Sequence, residues 1–295
     1  MSPASAGVEV TVATDWLEKH LRAPGLRVVD VRGRILPPGS DPRYQPKREE
    51  YDAAHIPGAI FVDWTHDIVD TDDPVPVQIA KPDLFAERMG QLGIGDGSLV
   101  VAYDDYDHIF SGRLAWALRY YGHGAVRVLD GGWSRWVAEG RPMSRDGASQ
   151  MPARFTPVVH GGLRRTGDDV MARLGHPDVL VVDARAPEQY AGQVSAARRG
   201  GHIPGARNVH YARLIDPGTA QFLPAQDLAR VFAEAGVDVE HLPSDVIVYC
   251  NGGVSCTVPM NALRMLGHDN VAVYDGSWNE WGNDDGRPVA TGRDP

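Results

Sequence analysis

The chain has 295 residues, 43% hydrophobic and 23% charged, with 39 acidic against 29 basic side chains and a formal net charge of −10. That length suits two domains or one large α/β unit, and the acid balance argues against general nucleic-acid binding and against an anionic membrane partner. With only two cysteines, no disulfide framework is expected, and a reducing, cytoplasmic setting is. No apolar run approaches the ~20 residues that span a bilayer. The leading MSPASAGVEVTVATDW lacks the basic and apolar regions of a targeting segment.

In chain order, apolar residues on one face predict a helix over 14–21, and a Val-rich run predicts a buried strand over 27–31. His55-Ile56-Pro57-Gly58-Ala59 fits a type II turn, with Pro fixing φ and Gly accepting a positive one. A strand over 99–103, a helix over 112–121 and a strand over 126–129 follow. Residues 143–165 have turn formers and weak periodicity, as a linker should. The pattern then resumes with strands over 179–183, 246–249 and 271–274 and a helix over 255–266. Strand-helix alternation implies parallel sheets with helices on both faces, which place ligands at the carboxyl ends of the strands.

The two halves repeat each other. Val28-Val29-Asp30-Val31-Arg32 returns as Val181-Val182-Asp183-Ala184-Arg185, and the His-Ile-Pro-Gly-Ala turn returns at His202. Asp130-Gly131-Gly132-Trp133 returns as Asp275-Gly276-Ser277-Trp278, and Gly140-Arg141-Pro142 as Gly286-Arg287-Pro288. The offset of about 145 to 153 residues is far above the 20 to 50 of solenoid repeats, so a whole domain is duplicated. We place the first domain at 8–145, a linker at 146–165 and the second domain at 166–292. His55 and His202 read as residues that hydrogen-bond their own turns. Trp278 and Trp281, three apart, read as core or interface packing.

Cys250 follows the strand 246–249, where a site belongs. The loop Asn251-Gly252-Gly253-Val254-Ser255 can curl so that backbone N–H groups point inward, and the next helix adds its positive end. Both favour a thiolate. The first domain carries Asp104 where the second carries Cys250, a poor exchange for a packing position and a natural one for a polar cavity. Cys256, six residues on, matches no zinc spacing and reads as a buried structural thiol or as a resolving thiol for oxidised Cys250. The same position argues against phosphate-ester hydrolysis, which needs an arginine there to grip the phosphate. Acyl transfer would need a paired histidine base that the sequence does not name. Sulfur transfer remains, with no metal and no cofactor.

The chain resembles the tandem-domain rhodanese-like sulfurtransferases, which include thiosulfate and 3-mercaptopyruvate sulfurtransferases. The likeness rests on Tyr51-Asp52-Ala53-Ala54-His55-Ile56-Pro57-Gly58-Ala59, on residues 271–281, on the loop from Cys250 to Ser255, and on Asp104 at the cysteine position of the first domain. It implies an α/β fold of two tandem rhodanese-like domains, with the first non-catalytic. It implies that the Cys250 thiolate takes a sulfane sulfur from a small anionic donor and passes it to a thiophilic acceptor such as cyanide or a thiol. The N–H groups of Asn251, Gly252, Gly253, Val254 and Ser255 would stabilise the persulfide. Arg185 would bind the donor's anionic end, aided by Arg198 or Arg199, with Arg113 and the loop 104–110 facing the cleft from the first domain. The loop lacks both the basic pair of thiosulfate enzymes and the serine of mercaptopyruvate enzymes, and its neutrality leans toward mercaptopyruvate. A second reading is a persulfide carrier that docks a protein partner. A cytoplasmic monomer is expected, without nucleic-acid or membrane partners.

Overall fold

The computed structural model describes residues 9–148 and 150–295. The expected domain start at residue 8 and residues 1–8 of the leading segment lie outside the described residues. In the first half the strands are β1 (Thr11–Val12), β2 (Leu26–Asp30), β3 (Gly33–Ile35), β4 (Tyr44–Pro46), β5 (Ile60–Phe61), β6 (Leu99–Tyr103) and β7 (Val126–Leu129). In the second they are β8 (Arg164–Arg165), β9 (Val179–Asp183), β10 (Arg207–Asn208), β11 (Asp245–Tyr249) and β12 (Val271–Tyr274). β3 and β4 pair with each other as a small antiparallel hairpin. The others form two five-stranded sheets, ordered β5-β2-β6-β7-β1 and β10-β9-β11-β12-β8. The arrangement is one design used twice, with parallel pairing throughout both sheets.

The central strands are short Val and Ile runs because helices cover both their faces; Val100, Val101, Ile247 and Val248 are all buried. The helix Ile109–Tyr120 carries β6 over to β7, and Thr257–Met265 carries β11 over to β12. The first of these begins three residues earlier than its apolar pattern indicates. The Asp104 carboxylate accepts the N–H groups of Phe110 and Ser111, and so supplies partners for its first turn. The hairpin of β3 and β4 escapes the pattern reading, since three-residue strands carry too little alternation.

The domains meet where those two helices cross. Gly112 lies at the crossing, and a Cβ there would stand 2.5 Å from Thr257 Oγ1. Each domain also sends a strap across to the other. Val77 (φ 61°) and Ala220 (φ 57°) are both left-handed. Ile79 N donates to Asp275 at 3.0 Å, and Phe222 N donates to Asp130 at 3.0 Å. The interface thus follows an internal two-fold relation. One apolar core runs through it, with Val77, Phe110, Phe222, Val254 and Met260 in a single cluster.

Candidate active site

Cys250 sits at the carboxyl end of β11 and is 2% exposed. Its loop is bound to the segment after β12. Trp278 N donates to the Cys250 carbonyl at 3.0 Å, and Asn279 N to the Asn251 carbonyl at 2.7 Å. Ser277 Oγ accepts both the Cys250 N–H, at 3.2 Å, and the Gly253 N–H, at 3.0 Å, while donating to the Tyr274 carbonyl at 2.7 Å. One hydroxyl therefore ties two points of the loop together. The Gly253 N–H is spent on Ser277, which corrects the expectation that every N–H of the loop faces the sulfur.

Burial alone would hold the Cys250 thiol up. Hydrogen bonds from the Cys256 thiol, the Ser255 hydroxyl and the N–H groups of Cys256 and Gly252 outweigh it and bring the thiol down to about 5. Burial and the neighbouring Cys250 push the Cys256 thiol well up instead. Of the two cysteines, one is a thiolate near neutral pH and the other is its hydrogen-bond donor.

The first domain shows the same cradle already filled. The Asp104 carboxylate accepts N–H groups from Tyr106 (2.8 Å), His108 (3.2 Å), Phe110 (3.0 Å) and Ser111 (2.7 Å). An anion-binding loop after the third-placed strand of the sheet is thus built twice. One copy carries a fixed carboxylate and the other an ionisable thiol. Both halves of the chain match the rhodanese-like domain, over residues 13–139 and 166–284.

The chain belongs to the rhodanese-like sulfurtransferases. It is 34% identical over 300 residues to the sulfur carrier protein TtuD of Thermus thermophilus, covering 97% of this chain and 98% of that one. It is 32% identical over 295 residues to a protein of Mycolicibacterium smegmatis provisionally named a thiosulfate sulfurtransferase, covering 96% and 98%. Its fold matches the crystal structure of SseA from Escherichia coli, described among the 3-mercaptopyruvate enzymes, with a TM-score of 0.81, 28% identity, and 92% and 99% of the two chains covered.

The arginines named from this family likeness all have protein partners. Arg185 is 2% exposed; its guanidinium pairs with Asp183 at 2.6 Å, donates to the Gly201 carbonyl at 2.7 Å and lies 4.3 Å from the Trp278 ring centroid. Arg32 repeats this in the first domain, paired with Asp30 at 2.7 Å, donating to Ala54 at 2.7 Å and lying 4.5 Å from Trp133. An arrangement built in both domains, including the one without a cysteine, serves the rhodanese fold. Arg199 turns away from the loop, donating to the carbonyls of Trp281 at 2.7 Å and Arg287 at 2.8 Å. It closes the end of the helix Ser277–Trp281. Arg198 is exposed beside Asp285. Arg113 is 1% exposed and lies in the domain interface, 2.7 Å from Asp275, so it does not open onto a cleft.

Gly252 is packed rather than open. A Cβ there would meet Val77 Cγ2 at 2.7 Å and Asn279 Nδ2 at 2.9 Å, with Tyr44 Oη at 3.7 Å. The strap of the first domain thus fills the space that a serine would need. Beyond Val77, Tyr44 and Asn279 lies a cavity of about 590 Å³ between the domains. His55 takes no part: its ring nitrogens lie 2.8 Å from the Tyr51 carbonyl and 3.0 Å from that of Asp146. His202 likewise sits 2.9 Å from the Tyr190 carbonyl. Trp278 and Trp281 are buried together on one helix. Among the described residues, no group of three His, Cys, Asp or Glu side chains could hold a metal, and no helix is long and apolar enough to cross a membrane.

Sequence reading missed two features of the site. Ser277 has the form of a repeat mismatch, standing where the first domain has Gly132. The straps carry a weak repeat of their own, Val77-Gln78-Ile79 against Ala220-Gln221-Phe222, at an offset of about 143 residues.

Proposed function

We propose that the protein moves sulfane sulfur through a persulfide on Cys250. The observation that carries this reading is a buried thiol brought down to about 5 inside a loop of N–H, O–H and S–H donors. The thiolate attacks the outer sulfur of thiosulfate or the thiol sulfur of 3-mercaptopyruvate. With thiosulfate the S–S bond breaks and its electron pair leaves on sulfite; with 3-mercaptopyruvate the C–S bond breaks and the carbon takes the pair and then a proton. The persulfide anion rests in the loop until an acceptor, cyanide or a thiolate, attacks its outer sulfur and Cys250 leaves as the thiolate. A low-pKa thiolate is a good leaving group, which favours this second step. The proposal includes action as a cytoplasmic monomer on small donors and acceptors.

A second reading is a persulfide carrier that receives and delivers sulfur on protein partners. It is favoured by one observation: Arg185, Arg199 and Arg113 each spend guanidinium N–H groups on the protein itself, which leaves them fewer donors for a small dianion. The relative from Thermus thermophilus is named a sulfur carrier. Steady-state kinetics with thiosulfate and with 3-mercaptopyruvate, with cyanide and then a thiol as acceptor, separates the two. Saturable turnover with either donor supports the enzyme. Stoichiometric loading of Cys250 without turnover supports the carrier.

A further inference from the structure

The first domain carries no nucleophile, yet one of its side chains touches the catalytic loop of the second. Arg113 lies on the helix Ile109–Tyr120, with its guanidinium 4.4 Å from the Trp116 ring centroid. Its Nη2 donates to the Val77 carbonyl at 2.8 Å. Its Nη1 lies 2.7 Å from Asp275 and donates to the Gly253 carbonyl at 3.1 Å. That last contact reaches the middle of the loop that holds Cys250.

A trans peptide is planar, with its carbonyl and its N–H on opposite sides. Holding the Gly253 carbonyl toward Arg113 therefore turns the Val254 N–H away from Arg113. Gly253, at φ 72°, follows another glycine, and such a pair rotates easily unless something fixes it. Ser277 fixes the N–H of Gly253, and Arg113 fixes its carbonyl. The position has no slack, since a Cβ on Gly253 would stand 2.9 Å from Arg113 Nη1. The equivalent of Arg113 in the second domain is Pro259, so the contact runs one way across the interface.

We propose that Arg113 is a positioning residue for Cys250: by gripping the Gly253 carbonyl it sets how the loop's N–H groups face the sulfur, and it makes the domain without a cysteine a working part of the site. The proposal rests on Cys250 being the nucleophile. The titratable and charged groups gathered about the two thiols are Cys250 and Cys256 themselves, Tyr211, and the pair of Arg113 with Asp275.

The test is the pH dependence of alkylation by iodoacetamide, which needs the thiolate and no sulfur donor. Cys250→Ser is the blank; alkylation at low pH that persists in it overturns the reading of Cys250 on which the proposal rests. Arg113→Met should raise the midpoint by at least about one pH unit, roughly a tenfold loss of thiolate below the midpoint. Arg113→Lys keeps a charge opposite Asp275 but loses the fork, so it should show a smaller rise, and it carries the test if the methionine variant does not fold. Arg164→Met breaks the other arginine contact with Asp275, now at 3.1 Å, without touching the loop. It should lower the melting temperature and leave the midpoint in place. An unmoved midpoint in the Arg113 variants, or an equal rise in Arg164→Met, overturns the positioning role.

Discussion

Ser277 and Gly132 occupy the same left-handed backbone position in the two domains, at φ 49° and 53°. In the first domain glycine is demanded, because a Cβ on Gly132 would stand 2.3 Å from the Asp104 carbonyl. In the second domain a serine accepts the strained conformation and is 0% exposed. Such strain costs about 1–3 kcal/mol and persists where something local offsets it. Here the offset is the Oγ, which accepts two N–H groups of the catalytic loop.

Ser277→Ala keeps the strain and leaves two buried N–H groups without their acceptor. We expect it to destabilise the fold by about 1–3 kcal/mol and to slow persulfide loading. Ser277→Gly loses the same bonds but relieves the backbone, so it should be about 1 kcal/mol less costly than the alanine variant. Denaturant unfolding of the pair measures this; equal stabilities would remove strain from the account.

The contact of Gly252 with Val77 gives a second prediction. Gly252→Ala places a methyl group against Val77 Cγ2 and should cost about 1–3 kcal/mol through overpacking. Val77→Ala opens that space and should recover most of the loss in the double variant. A double-mutant cycle with no coupling would show that the strap yields freely.

Arg185→Ala and Arg32→Ala should behave alike. Each leaves a fully buried aspartate, Asp183 or Asp30, without its partner, which typically costs about 3–5 kcal/mol. The melting temperatures of both variants should fall together. A stable Arg185→Ala whose only defect is a raised KM would return Arg185 to the donor site.

The pH dependence has a definite sign. Cys250 is lowered to about 5 in the folded protein, below the ordinary cysteine value. A depressed value means that the thiolate's stabilisation is complete above the unfolded value and is lost as pH falls through about 5. The stability of the wild type relative to Cys250→Ser should therefore shrink as pH falls from about 9 to about 5. A difference that does not change with pH would mean that the loop does not favour the anion.

The duplication, the six central strands and the cysteine at a strand end were legible in the sequence. Each rests on local apolar patterning or on repeated residues, which a linear reading detects. The partners of the arginines were not. Arg185 stands next to a strand end, as a donor-binding residue would, but the buried Asp183 two residues before it takes its charge. Arg199 meets carbonyls more than eighty residues away in sequence. The role of Ser277 depends on backbone conformation, and that of Arg113 on the docking of two domains. Neither leaves a mark in spacing.

Whether Cys250 carries the transferred sulfur is decided by the mass of the intact protein and of its Cys250 peptide after incubation with thiosulfate or 3-mercaptopyruvate. A persulfide on Cys250 requires the gain of one sulfur atom there, its removal by cyanide, and no gain in Cys250→Ser. Sulfur carried on Cys256, or a gain that survives in Cys250→Ser, would contradict it.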